Sequence, residues 1–194
     1  MTIRTAAQAG VTTPLLSAVD EVNHRRRQQV VERAAALLDG TVRDRRVALL
    51  GLTFKPDTDD LRDAPALTIA QAFIDGGATV VAYDPMPSAR ARSTGMVPGL
   101  IVAETAAEAI EGADIAVLVT EWPEFLELDW NTAGATMRRR VVVDGRNVLS
   151  GPRLMAAGFA FSSFGRGTFV PEGDVSRPQT ATLGWMATFQ AAEG

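Results

Sequence analysis

Four short runs, 46–50 (RVALL), 79–83 (TVVAY), 115–120 (IAVLVT) and 141–144 (VVVD), are apolar at nearly every position. This pattern limits the fold more than any other feature. A strand with one wet face alternates apolar with polar residues, whereas a run apolar throughout is covered on both faces. Segments of helical character separate these runs, at 67–74, 106–111 and 131–138, and another follows the last of them at 149–157. Buried strands alternating with helices imply a parallel sheet with right-handed crossovers. The expected fold class is therefore α/β, a Rossmann-like three-layer sandwich. Weaker runs at 101–102 and 159–163 add strands. Residues 86–100 read as a polar connection, and 121–129 as a loop or short helix. After Gly165 the pattern fades into an irregular tail, with a terminal helix indicated near 183–192.

A long helix precedes the sheet. From Pro14 to about Leu38, the residues Leu16, Val19, Asn23, Val30, Ala34, Leu37 and Leu38 recur at helical spacing. At 1.5 Å per residue such a helix runs to roughly 37 Å, more than the diameter of a small domain. Part of it must project, link two domains or pack on a partner chain. Arg25, Arg26 and Arg27 lie mid-helix, either as a solvated face or as ion pairs across an interface. Gly40 is expected to end the helix. Residues 1–13 read as a loose lead-in or a short helix.

Between the first strand and the next helix lies GLTFKPDTDDLRDAP, residues 51–65. Typical strand-to-helix loops have ~2–6 residues, and longer ones are more often functional. This one leaves the carboxyl end of a strand, where open α/β sheets bind ligands. It carries Lys55, Arg62 and four aspartates. Asp63 is expected to cap the following helix, with Pro65 in its first turn. A dinucleotide-binding turn would read G-x-G-x-x-G. Here Gly51 is followed by the bulkier Leu52, Thr53 and Phe54, so the sheet is a poor cradle for a pyrophosphate. Side chains would have to meet a ligand's charge. Lys55 just past the strand and Arg62 at the helix mouth are placed to do so, or else they pair with neighbouring aspartates. Arg146, behind Gly145 at the end of 141–144, is a third such cation, with a solvated turn as its alternative. Asp84 ends the second strand, either as a ribose-binding acid or as part of an Asp-Pro turn. His24, the only histidine, has no catalytic partner in sequence. Capping and pairing explain the loop aspartates more simply than a Mg²⁺ site does.

Composition closes other routes. With no cysteine, these 194 residues form no disulfide, thiolate zinc site or cysteine nucleophile. A net charge of −4 gives no general attraction to nucleic acid or acidic membranes. No stretch of about 18 apolar residues would cross a bilayer. A cytoplasmic location is the default expectation.

The residues of 51–65, the strand-end Tyr83-Asp84-Pro85, the turn Val143-Asp144-Gly145-Arg146-Asn147, and Gly158-Phe159 leading to Gly165-Arg166 together resemble the C-terminal domain of the UDP-glucose/GDP-mannose dehydrogenase family. The helix carrying Val22-Asn23 and the arginine run is similar to that family's central dimerisation helix. The resemblance covers about 14–166. It is nearest to members that oxidise UDP-glucose to UDP-glucuronate, although GDP-mannose and UDP-acetylaminosugar dehydrogenases share the motifs. It implies a division into a dimerisation-helix region (1–40), a nucleotide-sugar-binding domain (41–166) and a tail (167–194). It also implies roles: Phe54, Lys55 and Arg146 contact the UDP-sugar, and Arg62 reaches NAD. The family's chemistry is two hydride transfers to NAD through a thiohemiacetal and a thioester on a cysteine. That cysteine and the glycine-rich NAD-binding domain lie upstream of the central helix in the family. The expectation is therefore the C-terminal portion of such an enzyme, homodimeric through 14–38 and inactive alone. It would be an excised domain, a truncated product or one half of a split enzyme completed by a separate N-terminal catalytic half. The alternative is a non-catalytic nucleotide-binding or regulatory module.

Overall fold

Arg46–Leu50 form β1, the strand from which the sheet grows in both directions. It pairs in parallel with β2 (Thr79–Tyr83) on one side and with β4 (Ile115–Leu118) on the other. β3 (Ile101–Val102) lies outside β2. β5 (Val141–Asp144) and β6 (Ala160–Ser163) lie outside β4, also in parallel. β7 (Gly167–Phe169) returns antiparallel along β6. The seven-stranded order is β3-β2-β1-β4-β5-β6-β7. This computed structural model describes residues 10–171.

The apolar strands are explained by two cores. Successive residues of a strand point to opposite faces, so Val47 and Leu49 enter one core while Ala48 and Leu50 enter the other. Three helices cover the first face: the end of α1 (Pro14–Leu37), α2 (Pro65–Asp75) and α3 (Pro87–Ser93). Ile69 and Phe73 of α2 and Val30 and Ala34 of α1 fill it. The second face is covered by α4 (Ala106–Ile110), α5 (Pro123–Leu126), α6 (Trp130–Thr136) and α7 (Gly151–Ala156). Phe125, Trp130, Phe159 and Phe161 dominate that core, with the Trp130 and Phe159 rings edge to face at 5.4 Å.

Helix α1 has 24 residues, about 36 Å of helix. Only its last turns lie on the sheet, through Val30 and Ala34, and Arg33 reaches over β6 to Ser162 Oγ at 3.0 Å. Leu15, Leu16, Val19 and Val22 stay exposed on the projecting part. The arginine run is not one solvated face. Arg25 pairs with Glu21, Arg26 stacks on Phe164, and Arg27 donates to the carbonyl of Asp63 and to Thr68. The chain leaves the helix through left-handed Asp39 (φ 63°) before Gly40, whose N–H closes on the Ala35 carbonyl at 2.8 Å.

Three expectations are corrected. Asp63 does not cap α2: the cap position is Ala64 and makes no side-chain bond. Asp63 instead adopts φ 54°, a left-handed conformation that aspartate tolerates better than most residues. The connection 86–100 contains α3, a helix hard to read because only Ala89 and Ser93 of it are buried. The tail is not irregular from 167, since β7 forms there. The helix expected at 183–192 and the lead-in at 1–9 lie outside the described residues.

Candidate functional site at the carboxyl edge of the sheet

The loops that follow β1, β2, β4 and β5 meet at one edge. The strand order reverses between β1 and β4, the switch point where an open sheet of this kind leaves a crevice. Here the crevice is filled. Gly51 has φ 92°, and a Cβ on it would lie 2.5 Å from Thr120 Cβ. Thr120 Oγ1 donates to the Thr53 carbonyl at 2.6 Å. Trp122 Nε1 donates to Thr53 Oγ1 and to Asp84 Oδ2, both at 3.2 Å. The residues at the switch point therefore do not fit a dinucleotide laid across this sheet, in line with the missing second and third glycines.

Asp84 is wholly buried and serves the turn. Its Oδ2 accepts from Leu52 N, Thr53 N, Thr53 Oγ1 and Trp122 Nε1, and its Oδ1 from Met86 N. With these five donors around it and no exposed surface, the carboxylate is not presented to a ribose. Asp144 does the same for the β5 turn, accepting from the amides of Arg146, Asn147 and Leu149. A buried carboxylate saturated by amide donors fixes the backbone around it. Both strand-end aspartates thus shape the loops.

The candidate ligand residues ride on these fixed turns. The 51–64 loop is pinched by Phe54 N donating to the Asp60 carbonyl at 2.9 Å. Phe54 is 52% exposed, unusual for a phenylalanine with no covering neighbour. Lys55 beside it is exposed and makes no side-chain hydrogen bond or ion pair among the described residues. It is also the only lysine in a chain with 18 arginines. Arg62 lies farther along the loop, 89% exposed, its fork closed on Asp60 (Nη2–Oδ2 2.8 Å, Nε–Oδ1 3.0 Å). That pairing holds the Asp60 carboxyl well below the usual range and raises the guanidinium value. A cavity of about 370 Å³ opens next to it, between Asp59, Asp60, Arg62, Arg92 and Met96. Arg92 of α3 closes on the Asp59 carboxylate at 3.0 Å and on its carbonyl.

Arg146 sits on the far side of the β4 segment from Lys55. Its Nη2 donates to Glu121 Oε1 at 2.6 Å and its Nε to the other carboxylate oxygen. The hydrogen bonds from Arg146 lower the Glu121 pKa from its ordinary value. The structure thus places Phe54, Lys55, Arg62 and Arg146 on one edge. Arg62 stands in its own cavity with Arg92, and Arg146 stands beside Glu121. His24 lies on exposed α1, its ring 3.4 Å from Gln28 Nε2. The described residues contain no cluster of three or more acidic or histidine side chains able to hold a metal. Sequence reasoning missed Thr53, Arg92, Thr120 and Glu121. One signal was available: Thr120-Glu121-Trp122 is the polar end of an apolar strand, at the edge where ligands bind.

Comparison with known proteins bears on this geometry. The sequence pattern of the UDP-glucose/GDP-mannose dehydrogenase family, UDP binding domain, matches residues 48–151. The UDP-glucose 6-dehydrogenase of Rhizobium meliloti is 37% identical over 164 residues, covering 84% of this chain and 37% of that protein. That of Pseudomonas aeruginosa is 38% identical over 168 residues, again 84% and 37%. A UDP-glucose dehydrogenase structure from Pyrobaculum islandicum superposes with a TM-score of 0.64 at 30% identity, covering 76% of this chain and 32% of that one. A UDP-D-ManNAc dehydrogenase from Pyrococcus horikoshii gives 0.65 at 27%, covering 84% and 36%. The chain thus spans about a third of the length of these relatives. With the matched pattern covering more than half of the chain and centred on the loops just described, the protein belongs to the UDP-glucose/GDP-mannose dehydrogenase family and carries that family's UDP binding domain.

Proposed function

We propose that residues 41–166 form the substrate-binding wall of an NAD-dependent UDP-glucose 6-dehydrogenase, and that α1 is its dimerisation element. The observation that carries this reading is Lys55, a cation with no partner among the described residues, next to the exposed ring of Phe54 on the loop that follows the central strand. A diphosphate needs an unpaired cation, and Lys55 is one; an apolar ring face suits a base or sugar, and Phe54 offers one. Arg146 supplies a second, planar cation from the β5 turn. The three residues bind and orient the nucleotide sugar. None of them holds or moves a proton in the oxidation.

The hydride acceptor would be supplied by NAD. Because the switch point is filled, we assign its cradle to protein outside these residues, with Arg62 reaching it from the rim. The thiol chemistry is likewise assigned outside a sequence that has no cysteine. The lack of a thiol also supports a second reading, a nucleotide-binding module without turnover. A chain that binds UDP but never restores activity to a cysteine-bearing half would favour that second reading.

The direct test is calorimetric titration with UDP. Lys55→Ala and Arg146→Ala should each weaken binding about tenfold, the loss expected for one charge-assisted contact. Parent-like affinity in both variants would remove the site from this edge.

A further inference from the structure

Thr120, Glu121 and Trp122 are consecutive, and together they bond to the loops that follow β1, β2 and β5. Thr120 holds the Thr53 carbonyl of the β1 loop. Trp122 reaches Thr53 Oγ1 and the buried Asp84 at the end of β2. Glu121, between them, turns the other way and takes Arg146 of the β5 loop by two bonds. The segment is held on both sides of Glu121, so the backbone that carries its carboxylate is fixed in place.

The β5 turn is pressed against the same segment. Gly145 N donates to the Leu118 carbonyl at 2.9 Å, and a Cβ on Gly145 would come within 2.8 Å of that oxygen. The turn is steadied from behind as well. Ser163 Oγ donates to Asn147 Oδ1 at 2.8 Å, and Arg166 donates to the carbonyls of Asn147 and Leu149. Both ends of the Arg146–Glu121 pair are therefore anchored in rigid backbone. The carboxylate takes Nε and one Nη2 hydrogen of the guanidinium. Both Nη1 hydrogens and the second Nη2 hydrogen stay free of it, a donor set suited to a phosphate oxygen.

We infer that Glu121 is a positioning residue for the nucleotide site: it holds the Arg146 guanidinium side-on and presents the remaining donors to the diphosphate of a nucleoside-diphosphate sugar. The inference rests on the proposed role of Arg146. A free arginine samples many rotamers and loses that freedom on binding an anion; an arginine already clamped has lost it beforehand. The competing possibility is that Glu121 is a rival anion, which the ligand must displace. The two possibilities predict opposite signs.

The experiment is a double-mutant cycle read by UDP titration on the whole chain, with Glu121→Ala, Glu121→Gln, Arg146→Ala and the Glu121→Ala/Arg146→Ala pair. Positioning predicts that Glu121→Ala weakens UDP binding about fivefold and that the loss disappears in the Arg146→Ala background. Glu121→Gln, which keeps one acceptor oxygen for the guanidinium, should recover part of the affinity. It also serves as the variant of record if the alanine chain fails to fold by circular dichroism. Parent-like or tighter binding by both Glu121 variants would overturn the inference, and tighter binding would identify Glu121 as the rival. An undiminished Glu121→Ala effect without Arg146 would overturn it too. If Arg146→Ala itself binds UDP like the parent, the role of Arg146 fails first, and the positioning of Arg146 fails with it.

Discussion

Asp84 and Asp144 end strands at the edge where acids bind ribose, yet each is buried and saturated by neighbouring donors. Nothing in the string of letters distinguishes an aspartate that accepts five bonds from one that accepts none. Gly51 was legible as the lone glycine of the turn, but its reason is tertiary: it has φ 92°, and Thr120 occupies the place of a Cβ. Gly51→Ala should therefore cost about 3 kcal/mol of unfolding free energy, combining backbone strain and overpacking. A urea midpoint unchanged from the parent would refute that. Glu121 gives a pH prediction. Hydrogen bonds from Arg146 depress its carboxyl below the ordinary 4.5. A carboxyl depressed in the folded state stabilises the fold above its unfolded pKa and loses that contribution as pH falls through the folded one. The difference in urea midpoint between parent and Glu121→Gln should be full at neutral pH and shrink as pH is taken below 4.5. A gap that is constant across that range would show that the pair's charge does not matter to folding.

Elements that bury a continuous run or a clear stripe were readable, and two that bury little were not. β1, β2 and β5 have the ends expected from their apolar runs because both faces of each are buried. Helix α3 and strand β7 were missed for the same reason: each buries too few residues to leave a period. Helix α1 was read correctly in extent, but its stripe serves two purposes. Val30 and Ala34 meet the sheet, whereas Leu15, Leu16, Val19 and Val22 meet solvent. Exposed apolar residues in a row along a projecting helix support the proposed homodimer. Sedimentation at high concentration should give about twice the 20.6 kDa chain mass. Val19→Asp with Val22→Asp should return it to 20.6 kDa without disturbing the sheet, since neither residue touches the buried core. A parent that sediments as a single chain at every concentration would refute the dimer.

For the whole molecule, the prediction is an asymmetry between two nucleotides. UDP at about 100 times its Kd should add about 2.7 kcal/mol to the folded state and raise the melting temperature. NAD alone should leave it unmoved, because Thr120, Thr53 and Trp122 occupy the switch-point crevice. With no cysteine in the 194 residues, the chain alone should form no NADH from UDP-glucose and NAD. Stabilisation by NAD alone, or NADH production, would overturn the assignment. The sequence by itself determined the layers and the parallel strands, because burial on both faces writes itself into every residue of a strand. It also determined which loop is long and densely charged, and the glycines missing from that loop. Only the tertiary structure decided what each charge does. Lys55 is left open, Arg62 is closed on Asp60, and Arg146 is held by Glu121 from a different strand. Arg62 finds its partner two residues away in its own loop, but the Arg146–Glu121 pair exists only because the strand order makes the β4 and β5 loops neighbours, and that adjacency is a property of the folded sheet rather than of any one segment. The tight turn at Gly51 was legible as sequence; the filled crevice behind it became visible only when β4 lay down beside β1.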